Sequence, residues 1–289
     1  MRRWVRSVLA GLLALGVAVL AGCGGGPEPA SGSGGSGGDG GSAAGEQPAK
    51  ASKLDEVKRR GYLIVGVKAD VPGFGYLNPE TNMYEGYEID IAKRIAEEIF
   101  KIPGQVKFEP VTAKTRIGLL QSGQIDMIIA TVTVTEQRKQ EVDFSPVYYT
   151  DGIQLLVKKD SGITGLKDLD GKTIGVAQGA TTRARLEEKA KELGVTPKFA
   201  EFPDYPSILA ALQAGRVDAF SVDGSILKGY QMQDPNTVIL PEKYSEEPYA
   251  VATRKGDDDL RDLVAQVITR MQESGELQKL QEKWGLIGQ

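Results

Sequence analysis

One phrase occurs twice in this chain, and it limits the possible folds more than any single residue does. Leu120-Gln-Ser-Gly123-Gln-Ile-Asp126 is followed by Met-Ile-Ile, and Leu212-Gln-Ala-Gly215-Arg-Val-Asp218 is followed by Ala-Phe-Ser-Val. Each copy reads as a helix end, a glycine at the C′ position and then a buried strand. Gly61-Tyr-Leu-Ile-Val-Gly-Val67 and Gly171-Lys-Thr-Ile-Gly-Val176 echo one another as strand openings. The duplication predicts two similar lobes, each an α/β unit with a mainly parallel sheet.

Between the echoes, Ile89, Ile91, Ala92, Ile95, Ala96, Ile99 and Phe100 recur at helical spacing. Glu88 and Asp90 stand at the start of that helix, where the dipole favours negative charge. An apolar strand over 152–158 is expected to carry the chain from one lobe to the other, and residues 242–253 to carry it back. Leu260, Leu263, Val264, Val267, Ile268, Met271, Leu277, Leu280 and Trp284 then predict helices that pack on the first lobe. Two lobes joined by two hinge strands leave a cleft, a preferred place for a small ligand.

The amino terminus has a different logic. Met1-Arg2-Arg3 and Arg6 are cationic, residues 8–20 are almost continuously apolar, and Leu20-Ala21-Gly22-Cys23 closes the run. The apolar stretch is shorter than the ~20 residues a spanning helix needs, so it reads as an export signal. The closing tetrapeptide resembles the bacterial lipobox, which implies that Cys23, the single cysteine of 289 residues, carries a lipid anchor. Residues 24–52 are Gly, Ser, Ala and Pro with hardly an apolar side chain, a flexible tether with a reach on the order of 30 Å. The expected organisation is a signal peptide over 1–23, the tether over 24–52, a first lobe over 53–152, a second over 153–243, and a return to the first over 244–289.

Composition removes several classes of function. The net charge of −4 leaves no basic stripe to follow nucleic acid. The chain has no histidine, which excludes Ser-His-Asp and Cys-His catalysis and removes the commonest metal ligand. No phosphate loop is present, so no cofactor is expected and nucleotide hydrolysis falls to other subunits.

The phrases Gly86-Tyr-Glu-Ile-Asp-Ile-Ala92, Thr133-Val-Thr-Glu-Gln-Arg138 and Val142-Asp-Phe-Ser-Pro146-Val-Tyr-Tyr149 resemble the solute-binding proteins of polar amino acid ABC importers, family 3. Gly66-Val-Lys68-Ala-Asp-Val-Pro72, Ala113-Lys-Thr-Arg116, Gly175-Val-Ala-Gln-Gly-Ala-Thr-Thr182 and Phe202-Pro-Asp-Tyr-Pro-Ser-Ile208 look most like the aspartate/glutamate-binding members. The resemblance implies a two-lobed fold of the periplasmic-binding-protein type (type II). It implies a monomer without catalysis that closes on glutamate or aspartate and hands it to an ABC permease with its ATPase. The expected location is extracytoplasmic, on the outer face of the cytoplasmic membrane.

The same resemblance assigns Arg138 to a bidentate grip on the α-carboxylate and Asp223 to the α-ammonium. Thr131 and Thr133, just before the Arg138 helix, are candidates to complete the carboxylate site, although alternating threonines equally suit an ordinary strand. Lys68 and Arg116 match the positions that hold a side-chain carboxylate in the acidic members. Ala180, Thr181, Thr182 and Tyr205, at two loop-to-helix junctions, are candidates to close from the second lobe. Three cations and one anion complement a dicarboxylic amino acid, whereas glutamine leaves positive charge in excess. Two alternatives stand beside this reading: a glutamine-binding importer component, and a secreted dehydratase-type enzyme using Asp223 or Glu85 as proton donor.

Overall fold

The computed structural model describes residues 52–287. The expected signal peptide, Cys23 with its expected lipid, and the expected tether up to residue 51 lie outside the described residues. Ser52 itself caps the first helix, its side chain accepting from the Asp55 N–H.

The chain begins with α1 (Lys53–Arg60), β1 (Leu63–Val67), the short strands β2 (Asp70–Val71), β3 (Gly75–Asn78) and β4 (Met83–Glu85), and α2 (Tyr87–Phe100). It continues through β5 (Val106–Pro110), α3 (Arg116–Gln121), β6 (Met127–Ile129), α4 (Glu136–Glu141) and β7 (Val142–Asp151). The middle portion holds β8 (Ile153–Lys158), β9 (Thr173–Ala177), α5 (Thr182–Leu193), β10 (Lys198–Phe202), α6 (Tyr205–Gln213), β11 (Ala219–Asp223), α7 (Gly224–Gln233) and β12 (Thr237–Ile239). Then come β13 (Glu247–Arg254), α8 (Asp258–Glu273) and α9 (Glu276–Lys283).

Two five-stranded sheets result, in the orders β5-β1-β6-β13-β7 and β10-β9-β11-β8-β12. In each, three strands are parallel and the remaining two run antiparallel to their neighbours. Four of the five strands in each sheet therefore share one direction, in keeping with the mainly parallel expectation, and only β13 and β8 are reversed. The antiparallel strands are the ones next to the crossings, because a chain that leaves one sheet at Gly152 and returns before β13 enters each sheet from the opposite end. A further three-stranded antiparallel sheet, β2-β3-β4, was not expected, since its strands are only two to four residues long.

The repeated phrase has one structural job in both halves. Gly123 and Gly215 take φ of +77° and +71°, which stops α3 and α6 and turns the chain into a strand. The aspartate three residues later then pins the neighbouring parallel strand. Asp126 accepts from the Ile64 N–H and returns its own N–H to the Ile64 carbonyl. Asp218 does the same with Thr173.

α2 buries Ile89, Ile91, Ile95 and Ile99 against the first sheet and α8. Each such side chain contributes about 1.5–3 kcal/mol. The helix is tied to the carboxyl end of the chain where Trp284 Nε1 donates to Asp90 Oδ2 (2.9 Å). Among the described residues no helix is long and apolar enough to cross a membrane.

Candidate functional site

All ten candidate residues lie at or beyond the C-terminal end of a parallel strand: Lys68 after β1, Arg116 after β5, Thr131, Thr133 and Arg138 after β6, Ala180, Thr181 and Thr182 after β9, Tyr205 after β10, and Asp223 at the end of β11. These are the sheet edges where α/β ligand sites form. The two lobes meet here. Lys68 Nζ lies 4.5 Å from the centre of the Tyr205 ring, and Arg138 Nη2 donates to the Gly179 carbonyl (3.1 Å). Tyr230 donates to the Asp70 carbonyl (2.6 Å). The approach is close enough that a Cβ on Gly179 would stand 2.8 Å from the Ala113 carbonyl oxygen.

Arg138 is the third residue of α4, whose cap, Thr135, accepts from the Arg138 N–H. Its Nη1 donates to the Thr133 carbonyl (2.8 Å). Burial, and then the nearby Arg116, lower its pKa below the ordinary arginine range. An anion placed against it reverses that penalty. A cavity of about 480 Å³ at the lobe boundary is lined by Arg138, Thr135, Gly179, Ala180, Thr181 and Arg185, among others. Thr181 donates to Glu247 Oε2 (2.8 Å), and Thr182 is buried in the first turn of α5.

Thr131 is one of the non-glycine residues with positive φ, at +47°. It is clamped at both backbone atoms. Its N–H donates to Glu88 Oε1 (2.6 Å), and its carbonyl accepts from Arg116 Nη1 (3.0 Å), which also donates to the Ala130 carbonyl. The Thr131 hydroxyl, Arg116 Nε and Glu88 Oε2 are buried without a hydrogen-bond partner among the described residues.

Asp223 accepts from the Tyr249 hydroxyl, while its Oδ1 is buried and unpartnered. Burial, then the carboxylates of Asp151 and Glu247, push the Asp223 carboxyl well above the usual range. Asp151 is raised as well, chiefly by burial, although the N–H groups of Gly152 and Ser225 bond to it. A cation is the natural complement of this corner. Glu85, the other acid considered as a proton donor, accepts from Asn78 Nδ2 (3.1 Å).

The simple charge count from sequence does not survive. Lys68 is paired with Asp70 at 3.0 Å, and burial lowers its pKa despite that partner. Glu88, wholly buried, faces both Lys68 and Arg116. Asp70, Glu88, Asp151, Glu247 and Tyr249 were missing from the candidate set. Asp70 had a legible signal, since a buried lysine calls for a counter-ion and the next acid is two residues on. Glu88 had none, because a carboxylate in the first turn of a helix is already accounted for by the dipole.

Comparison with known proteins places this architecture. The model of the bacterial extracellular solute-binding proteins, family 3, matches residues 63–287. A glutamine-binding protein of Geobacillus stearothermophilus is 42% identical over 87% of this chain and 92% of its own. An ABC transporter glutamine-binding protein of Bacillus subtilis is 38% identical over 82% of this chain and 85% of its own. Among solved structures, an ancestral arginine-binding protein bound to glutamine is similar with a TM-score of 0.71 and 37% identity, covering 78% of this chain and 99% of that one. The chain belongs to the bacterial extracellular solute-binding proteins, family 3.

Proposed function

We propose that this protein is the substrate-capturing component of an amino-acid ABC importer and that its ligand is glutamine. The observation that carries the reading is the charge compensation of the two cations nearest the ligand's side chain. Lys68 is paired with Asp70, and Arg116 faces Glu88. A neutral, polar side chain fits that balanced surface, and burying an unmatched second carboxylate there costs several kcal/mol. The glutamine-binding relatives support the same choice.

In this reading Arg138 and Thr133 take the α-carboxylate, Asp223 takes the α-ammonium, and Tyr205 with the α5 N-terminus closes the cleft. Residues 53–152 and 244–289 form one lobe and 153–243 the other, and closure is what a permease recognises. Cys23 anchors the body to the outer face of the membrane. An acidic ligand is the second reading, favoured by the presence of Lys68 and Arg116 together beside the cleft. The test is tryptophan fluorescence or small-angle scattering of the purified protein on adding each amino acid. Compaction with glutamine supports the proposal, and absence of any change with glutamine, glutamate or aspartate overturns it.

A further inference from the structure

Glu88 is a wholly buried carboxylate whose charge acts on Arg116 and Lys68. One oxygen is committed. Oε1 accepts from the Thr131 N–H and from the Tyr148 hydroxyl, and so holds Thr131 in its left-handed conformation. The other oxygen, Oε2, has no hydrogen-bond partner among the described residues. Across from it, Arg116 spends Nη1 on two carbonyls and leaves Nε, a donor, unpartnered in the same buried cluster.

An unpaired buried acceptor and an unpaired buried donor, on two residues whose charges act on one another, make a specific chemical request. A primary amide answers it, because its oxygen accepts and its nitrogen donates. A carboxylate offers only acceptors, and its second oxygen would face Glu88 Oε2 with like charge. We propose that Glu88 is the residue that sets the choice between an amide and a carboxylate in the ligand's side chain, with Arg116 Nε taking the oxygen and Glu88 Oε2 taking the amide nitrogen. This rests on the amino-acid-binding reading above and deepens it to a specificity mechanism.

The proposal carries a dependence on pH. The groups facing Glu88 are Lys68 at the end of β1, Arg116 on α3, Tyr148 on β7 and the Thr131 N–H, with Tyr87 beside it on its own helix. Burial outweighs the hydrogen bonds and the two cations and pushes the Glu88 carboxyl up to about 7. Ionised, Glu88 accepts from the amide and repels a second carboxylate. Protonated, it donates to that carboxylate instead. Preference for glutamine over glutamate therefore rises with pH, and glutamate binding below the transition retains the proton on Glu88.

Calorimetric titration of the purified full chain with glutamine and with glutamate at about pH 5.5 and about pH 8.5 tests this, repeated on Glu88→Gln. In the wild type the ratio of the glutamate Kd to the glutamine Kd rises by at least about tenfold over that interval, which spans more than one unit on either side of the transition. In Glu88→Gln the amide oxygen still accepts from Thr131 and its nitrogen donates to the ligand, so the ratio is flat with pH and shifted towards glutamate. A wild-type ratio that does not move, or a variant that weakens both ligands equally, overturns the role of Glu88. Failure of the wild type to bind either amino acid instead overturns the proposed function.

Discussion

At the scale of residues, the proposed binding depends on charges that the fold leaves for a ligand to complete. Arg138→Met and Asp223→Asn each remove one charge-assisted contact with a zwitterion, worth about 1.5–3 kcal/mol or more when buried. Each is expected to weaken glutamine binding by at least about tenfold with the circular dichroism unchanged, and near-native affinity in both would contradict the assignment. Thr131→Gly is expected to separate stability from function. It relieves a left-handed conformation that costs about 1 kcal/mol and deletes the unpartnered hydroxyl, so the thermal midpoint rises while affinity falls. The legibility of these residues was uneven for a physical reason. Arg138 and Asp223 stand at ends of elements where their charge has a recognisable purpose. Glu88 sits where a helix start would favour an acid anyway, so two causes produce one pattern, and only the partner atoms separate them.

At the scale of elements, the repeated phrase was readable because it combines a glycine stop with an acid that serves the adjacent strand. Asp218→Ala is expected to lower the unfolding free energy by about 1 kcal/mol, since it strips the half-buried Thr173 N–H of its partner. Asp126→Ala is expected to cost more, because Asp126 also pairs with Lys53 (2.9 Å) and Arg60. Denaturant titration of both variants checks the order. The β2-β3-β4 sheet was not readable, because its strands are too short for alternation to show and Gly73-Phe-Gly75 looks like a turn. The antiparallel strands at the crossings were legible as strands but not in direction, which topology fixes rather than local sequence. Gly179→Val belongs at this scale too. It places a branched side chain where the lobes approach within van der Waals contact, so binding is expected to weaken by at least about tenfold and scattering to report a more open molecule, with a stability loss of about 1–2 kcal/mol because the position holds φ at +76°.

At the scale of the whole molecule, the buried acids make folding and ligand capture share one set of charges. A carboxyl whose folded pKa exceeds its unfolded value binds more protons when folded, so stability falls as pH rises between the two values and levels off above the higher. For Glu88 that window runs from the ordinary 4.5 to about 7, a loss on the order of 3 kcal/mol. Asp151 and Asp223 shift in the same direction. The ligand-free protein is therefore expected to be more stable near pH 5 than near pH 7.5, and Glu88→Gln to flatten that slope, which thermal unfolding across the pH range will show. The two-lobed architecture was legible from the duplication, whereas the balance of charge in the cleft depended on acids brought from α2 and from the short strand β2. The central claim is that this balance selects a neutral amide. Calorimetric titration of the purified protein near pH 8 with glutamine, glutamate and aspartate tests it most directly: one-to-one binding with glutamine tightest is the predicted result, and a dicarboxylate binding more tightly than glutamine, or no binding by any of the three, would contradict it.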